Sequence, residues 1–141
     1  MQVDISKQLK ICKDVAISAH QGQMRQDGET PYIKHIEKVV EIVGSDKYRQ
    51  CIAWLHDVIE DNPLYTAERL IELGVDSNIV ARVLVLTHIN GTYNDYIKLI
   101  KDTTLTDCRQ IKVADICANL SDTPSKGQIK KYYNALRILV R

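Results

Sequence analysis

One stretch constrains this chain more than any other: Cys51-Ile52-Ala53-Trp54-Leu55-His56-Asp57-Val58-Ile59-Glu60-Asp61-Asn62-Pro63. It reads as a helix that ends at its proline. The first half is apolar, and His, Asp, Glu and Asp then arrive together. With His56 at zero, the side chains of His56, Asp57, Glu60 and Asp61 point to about 0°, 100°, 40° and 140° on a regular helix. One arc therefore carries an imidazole and three carboxylates directly after a buried-looking run. Like charges at this spacing cost stability, and a cation among them removes that cost. Imidazole with carboxylate is a natural ligand set for a divalent metal. The alternative is a helix whose end emerges into solvent. An acidic helix C-terminus opposes the macrodipole, and Trp54-Leu55 beside His56 argues against simple exposure.

Around this stretch the chain reads as helix throughout. Residues 2 to 20 place Val3, Ile5, Leu9, Ile11, Cys12, Val15, Ala16 and Ala19 at mostly helical spacing. A polar loop with Gly22, Asp27 and Gly28 follows. Pro31 restarts the chain into a short helix over Tyr32 to Gly44. Ser45 or Asp46 caps the central helix. Thr66 caps the next one, which Gly74 closes. Further helical segments cover residues 76 to 88, Tyr93 to Lys101, Thr106 or Asp107 to about Leu120, and Ile129 to Val140. Asn90-Gly91 and Pro124-Ser125-Lys126-Gly127 read as the turn and the loop between them. No long alternating run suggests a sheet. The expectation is an all-α, bundle-like fold of about seven or eight helices, with residues 1–141 forming one domain.

Composition narrows function more than fold. The net charge of +1 suggests no bulk attraction to nucleic acid or membrane. No apolar run approaches transmembrane length, and Met1-Gln2-Val3-Asp4 lacks a signal-peptide pattern. Cys12, Cys51, Cys108 and Cys117 form no CxxC pair and no zinc-ribbon spacing. Three of them sit in apolar helical runs, which points to a reduced, cytoplasmic setting.

Polar residues also stand where core is expected. Asp115 lies inside Ile111-Lys112-Val113-Ala114-Asp115-Ile116-Cys117-Ala118-Asn119-Leu120, and a buried carboxylate needs a partner or a metal. Asn119 is one turn further along the same face, so a purely structural hydrogen-bonded pair is an alternative. His35, near a helix start, would by itself most often be a satisfied structural histidine. Together His35, His56, Asp57 and Asp115 supply two imidazoles and two carboxylates. That set suits Mn²⁺, Fe²⁺ or Zn²⁺ with open positions for water.

The order His35, His56-Asp57, Asp115 resembles the H…HD…D pattern of the HD-domain phosphohydrolases. The segment Ala19 to His35 is similar to the opening signature of the RelA/SpoT-type (p)ppGpp hydrolases. Trp54 to Asp61 resembles their LLHDVIEDT segment, and Lys112 to Leu120 their KLADRLHNM segment. The similarity runs over roughly residues 10 to 125, and the length resembles the small stand-alone hydrolases of that family. The resemblance implies that His35, His56, Asp57 and Asp115 hold one divalent metal, usually Mn²⁺. It implies that Glu60 and Asp61 orient and activate the attacking water. It further implies that Arg25 contacts the nucleotide, that Asn119 helps hold its base or ribose, and that His20 supports the site from behind. Tyr93 and Tyr96 fall in a segment common in small members, where helix packing is as reasonable as ligand contact.

The implied activity is (p)ppGpp 3′-pyrophosphohydrolysis on a small-molecule nucleotide. The alternatives are an NADPH phosphatase or other nucleotide phosphohydrolase, and a non-catalytic nucleotide-binding protein. Three positions depart from the family pattern. Gln26 stands where Lys is frequent, Ile36 where Pro is common, and Asp122 near a usual threonine. Losing one cation and gaining one anion weakens binding of a tetraphosphate-like ligand.

Overall fold

In the computed structural model, residues 3–141 are described. They form nine α-helices: α1 (Ile5–Ala19), α2 (Ile33–Val43), α3 (Lys47–Leu55), α4 (Val58–Asp61), α5 (Ala67–Glu72), α6 (Ser77–Val85), α7 (Tyr93–Asp102), α8 (Asp107–Leu120) and α9 (Lys126–Leu139). The only β pairing among the described residues is an isolated bridge between Met24 and Pro31. The all-α expectation holds. The first helix begins at Ile5, after the Asp4 cap; the expected start at Gln2 lies outside the described residues.

Local chemistry explains most helix starts. The Asp46 carboxylate accepts from Arg49 N–H at the head of α3, and Thr66 Oγ1 from Arg69 N–H at the head of α5. Each satisfies one of the backbone donors that a helix leaves unpaired. Asp4, Asp76 and Thr92 do the same for α1, α6 and α7. Two expectations need correction. The segment Pro124 to Gly127 is not all loop, because Ser125 and Gln128 form a reciprocal capping box that starts α9 at Lys126. The central stretch is not one helix. It breaks at His56-Asp57 into α3 and α4, which accounts for a ninth helix.

Helix α3 lies at the centre, packed on α1, α2, α6 and α8, while α9 covers α7 and α8. Ile36, Ile52, Leu55, Ile79, Ile97, Ile111 and Ile116 are fully buried, each contributing about 1.5–3 kcal/mol of hydrophobic stabilisation. Cys12, Cys51 and Cys108 are buried in this core, whereas Cys117 is exposed; all four are free thiols. No helix among the described residues is long and apolar enough to cross a membrane.

Candidate metal centre

Four polar side chains penetrate this core from two helices and one junction. His35 stands in the first turn of α2, Asp115 in the middle of α8, and His56 and Asp57 between α3 and α4. Their exposures are 6%, 5%, 2% and 8% respectively, so none is solvated like a surface group. One donor atom from each lies within 4.8 Å of every other. His35 Nε2 is 2.8 Å from Asp115 Oδ1 and 3.9 Å from Asp57 Oδ2. His56 Nε2 is 3.1 Å from Asp57 Oδ2 and 3.5 Å from Asp115 Oδ1.

The break after α3 produces this convergence. Asp57 has φ −108° and ψ −1°, the bridge region that active-site residues often occupy. His56 Nδ1 donates to the Ala53 carbonyl at 2.6 Å. That bond leaves the Nε2 lone pair free and directed at the carboxylates. Nε2 is buried without a hydrogen-bond partner. An orphaned imidazole nitrogen among two carboxylates and a second imidazole fits a divalent cation, and the cluster can bind one.

The surrounding side chains hold these four groups in place. The Tyr32 hydroxyl donates to Asp57 Oδ2 at 2.6 Å, and Lys112 Nζ donates to Asp115 Oδ2 at 2.8 Å. Burial opposes a charge on His56, but Asp57 and Asp115 outweigh it and hold its pKa well above normal. Burial likewise works against the Asp57 carboxylate, yet His56 brings its pKa down to about 2. Burial opposes the Asp115 charge too, and Lys112 outweighs it, so that carboxyl stays well below its usual range. Without a cation, the two carboxylates favour the charged form of His56.

The two acidic residues of α4 are sent to different places. Glu60 lines a cavity of about 370 Å³ together with Asp57, Asp115, Lys112 and Tyr93. Its Oε1 accepts from the backbone N–H of His88 at 2.7 Å. Asp61 Oδ2 instead accepts from Gln23 Nε2 at 3.0 Å, and Gln23 Oε1 lies 2.8 Å from Nδ1 of buried His20. Burial raises both carboxyl pKa values. The two diverge as adjacent residues of one helix do, about 100° apart.

A second cavity, about 470 Å³, adjoins the first and shares Tyr32, Asn119 and Tyr132 with it. Arg25 and Gln26 both line it. Arg25 Nη2 donates to Asn119 Oδ1 at 3.0 Å and to Asp122 Oδ2 at 3.2 Å, while Nε donates to Asp122 at 3.3 Å. Asn119 Nδ2 is 3.4 Å from Asp115 Oδ1, so the structural pairing left open by the sequence is present, though long. Tyr96 is 6% exposed and its hydroxyl donates to the Leu86 carbonyl; it is packed more tightly than Tyr93, and both rings line the inner cavity.

Sequence reasoning gave no role to Tyr32, Lys112, Lys131 or Tyr132. Lys112 was detectable, since Lys and Asp three apart on a helix are neighbours. Lys131 and Tyr132 come from α9, and no local signal joins them to the cluster.

Comparison with known proteins finds no matching family model and no matching curated protein. Among solved structures, a metazoan ortholog of SpoT, described as hydrolysing ppGpp, superimposes with a TM-score of 0.75. The match covers 94% of this chain and 83% of that one at 24% identity. The two chains share their fold.

Proposed function

We propose that residues 1–141 act as one domain, a metal-dependent phosphohydrolase of a small-molecule nucleotide. The observation that carries this reading is the buried His35, His56, Asp57 and Asp115 cluster opening on a cavity that also holds Glu60. Those four residues would hold one divalent ion, for which Mn²⁺ suits the mixed nitrogen and oxygen donors. A divalent ion there lowers the pKa of water and neutralises charge on phosphoryl oxygens.

The chain's own groups supply the rest. Glu60, fixed at Oε1 by His88 N–H, has a second oxygen to take the proton from an attacking water. Asp61 is the second acid of the pair, and its bond to Gln23 holds α4 in register with the loop before α2. As water oxygen bonds to phosphorus, the bond from phosphorus to the ribose oxygen breaks, and that oxygen takes a proton. Lys112 balances the Asp115 carboxylate, so the site does not accumulate uncompensated negative charge. Arg25, whose guanidinium carbon lies 5.4 Å from the Tyr32 ring centroid, and Asn119 would contact the base or ribose.

The 3′-diphosphate of ppGpp is the first substrate to test, on the sequence resemblance and the shared fold. A second reading keeps the chemistry and changes the nucleotide, as in an NADPH phosphatase. The Arg25–Asp122 ion pair favours it, because the cation expected to meet the substrate is engaged by a carboxylate. Product analysis of Mn²⁺-loaded protein against ppGpp, NADPH and a nucleotide panel tests both. Release of pyrophosphate from ppGpp, or of phosphate from NADPH, is the expected outcome. No turnover of any nucleotide removes the enzyme reading.

A further inference from the structure

The two adjoining cavities differ in charge. The inner one sets Asp57, Glu60 and Asp115 against Lys112 and Lys131. Lys112 is committed to Asp115. Lys131 makes no ion pair among the described residues; its Nζ lies 4.1 Å from the centroid of the Tyr93 ring. Lys112 Nζ lies 5.8 Å from the same centroid and 5.1 Å from that of Tyr96, and both ammonium groups line the inner cavity. A ring face attracts a cation but accepts no conventional hydrogen bond, which leaves the Lys131 donors available. The Tyr93 hydroxyl is buried without a partner among the described residues. Two cations drawn together repel, and an anion between them relieves the repulsion. A divalent ion on the four ligands turns the inner cavity net positive. The outer cavity sets one guanidinium, Arg25, against two carboxylates, Asp27 and Asp122, and is net negative.

We propose that Lys131, with Lys112 and the Tyr93 ring, forms a subsite for the phosphate groups at the cleaved end of the substrate, while the outer cavity takes an uncharged end. The substrate is then a nucleotide charged at one end only. This rests on the hydrolase reading and deepens it. It separates a nucleoside 3′-diphosphate from one that also carries a 5′-diphosphate.

The test uses Mn²⁺-loaded protein and inorganic pyrophosphate as the probe, titrated calorimetrically into wild type, Lys131→Met and Lys131→Arg. Methionine keeps the aliphatic packing on Tyr93 and removes the charge. Affinity should fall about tenfold in Lys131→Met, the loss of one charge-assisted contact, and recover in Lys131→Arg, with metal content constant. In parallel, guanosine 3′-diphosphate and ppGpp are compared by kcat/KM in wild type and Asp122→Asn, and by affinity in Glu60→Gln. Guanosine 3′-diphosphate should be preferred about tenfold in both measurements, and Asp122→Asn should narrow the gap. Unchanged pyrophosphate affinity in Lys131→Met overturns the subsite even where nucleotides are hydrolysed. Equal or better binding and use of ppGpp overturns the one-ended substrate. If neither nucleotide is cleaved while pyrophosphate binding still depends on Lys131, the hydrolase reading falls and the anion subsite stands.

Discussion

The inner and outer cavities lie side by side and are built on opposite terms. In the inner one, His56, Asp57 and Asp115 are almost fully buried, and each is held by a partner: His56 by Ala53, Asp57 by Tyr32, Asp115 by Lys112. In the outer one, the main ion pair joins Arg25, 18% exposed, to Asp122, 53% exposed. Such a half-solvated pair contributes at most about 1 kcal/mol. A buried pair is different, because removing one member strands the other in a low-dielectric site. The chemistry of the inner cavity is thus locked into the core. The outer cavity can change its charge at little cost to the fold, and two of the three departures from the pattern this chain resembles, Gln26 and Asp122, lie there.

The largest expected effect comes from His56→Ala. It should remove stoichiometric metal, measured by elemental analysis, and with it turnover. Equal metal content in variant and wild type would take His56 out of the centre. Next comes the acidic pair. Glu60→Gln should keep metal and lose about 10²–10⁴ in kcat, the usual contribution of a positioned base. Asp61→Asn should lose less, because Asp61 is bonded to Gln23 rather than placed in the inner cavity. Equal losses would show that their different partners do not separate their roles.

Lys112→Met probes the buried pairing itself. In metal-free protein it should cost about 3–5 kcal/mol, as breaking a buried pair does, and added Mn²⁺ should recover part of that by binding the folded state. The pH dependence follows from the direction of each shift. Asp115 is held well below 3.8 in the fold, so its contribution is present above the unfolded carboxylate pKa and is lost as pH falls through the lower folded value. Lys112 is raised above 10.5, so its contribution is present below that value and is lost as pH rises through the folded one. Lys112→Met should therefore move the acid unfolding limb, followed by circular dichroism, to higher pH. An unmoved limb would mean that Asp115 draws its stability from the histidines instead.

The smallest effect belongs to the outer rim. The Asp27 carboxylate accepts from Glu29 N–H, Thr30 N–H and the Thr30 hydroxyl, and its pKa falls to about 2, with the Thr30 hydroxyl contributing most. Its ordering of the loop should hold above pH 3.8 and fade as pH drops through about 2. At neutral pH, Asp27→Asn should change KM a few-fold at most and leave kcat alone, since exposed contacts are screened. A large loss in kcat would show that the two cavities are mechanically coupled.

Much of the fold was legible because helix signals are short-range. Thr66 is legible as a cap from the local sequence, and Asp46 as one of two candidates with Ser45; Asp46 and Thr66 both bond the backbone N–H three residues on. Gln128, one turn past Ser125, is the local signal of the capping box that starts α9 inside the expected loop of Pro124 to Gly127. The His56-Asp57 break was not legible. A change of backbone angle at one or two residues leaves the apolar periodicity of Ile52 to Leu55 untouched, and it is enough to split the expected helix into α3 and α4.

By itself the sequence determined the donor inventory: two imidazoles and two carboxylates, each on or beside a helix whose period and caps are set within about four residues. The tertiary structure decided what that inventory does. His35 and Asp115 are 80 positions apart and meet at 2.8 Å. Lys131 arrives from α9 to face a cavity whose ligands come from α2, α8 and the α3–α4 junction. Burial, desolvation and charge pairing depend on such meetings, and no local pattern encodes them. The same Arg reads from sequence as a free cation and in the fold as Asp122's partner, because pairing is a property of space and not of the chain.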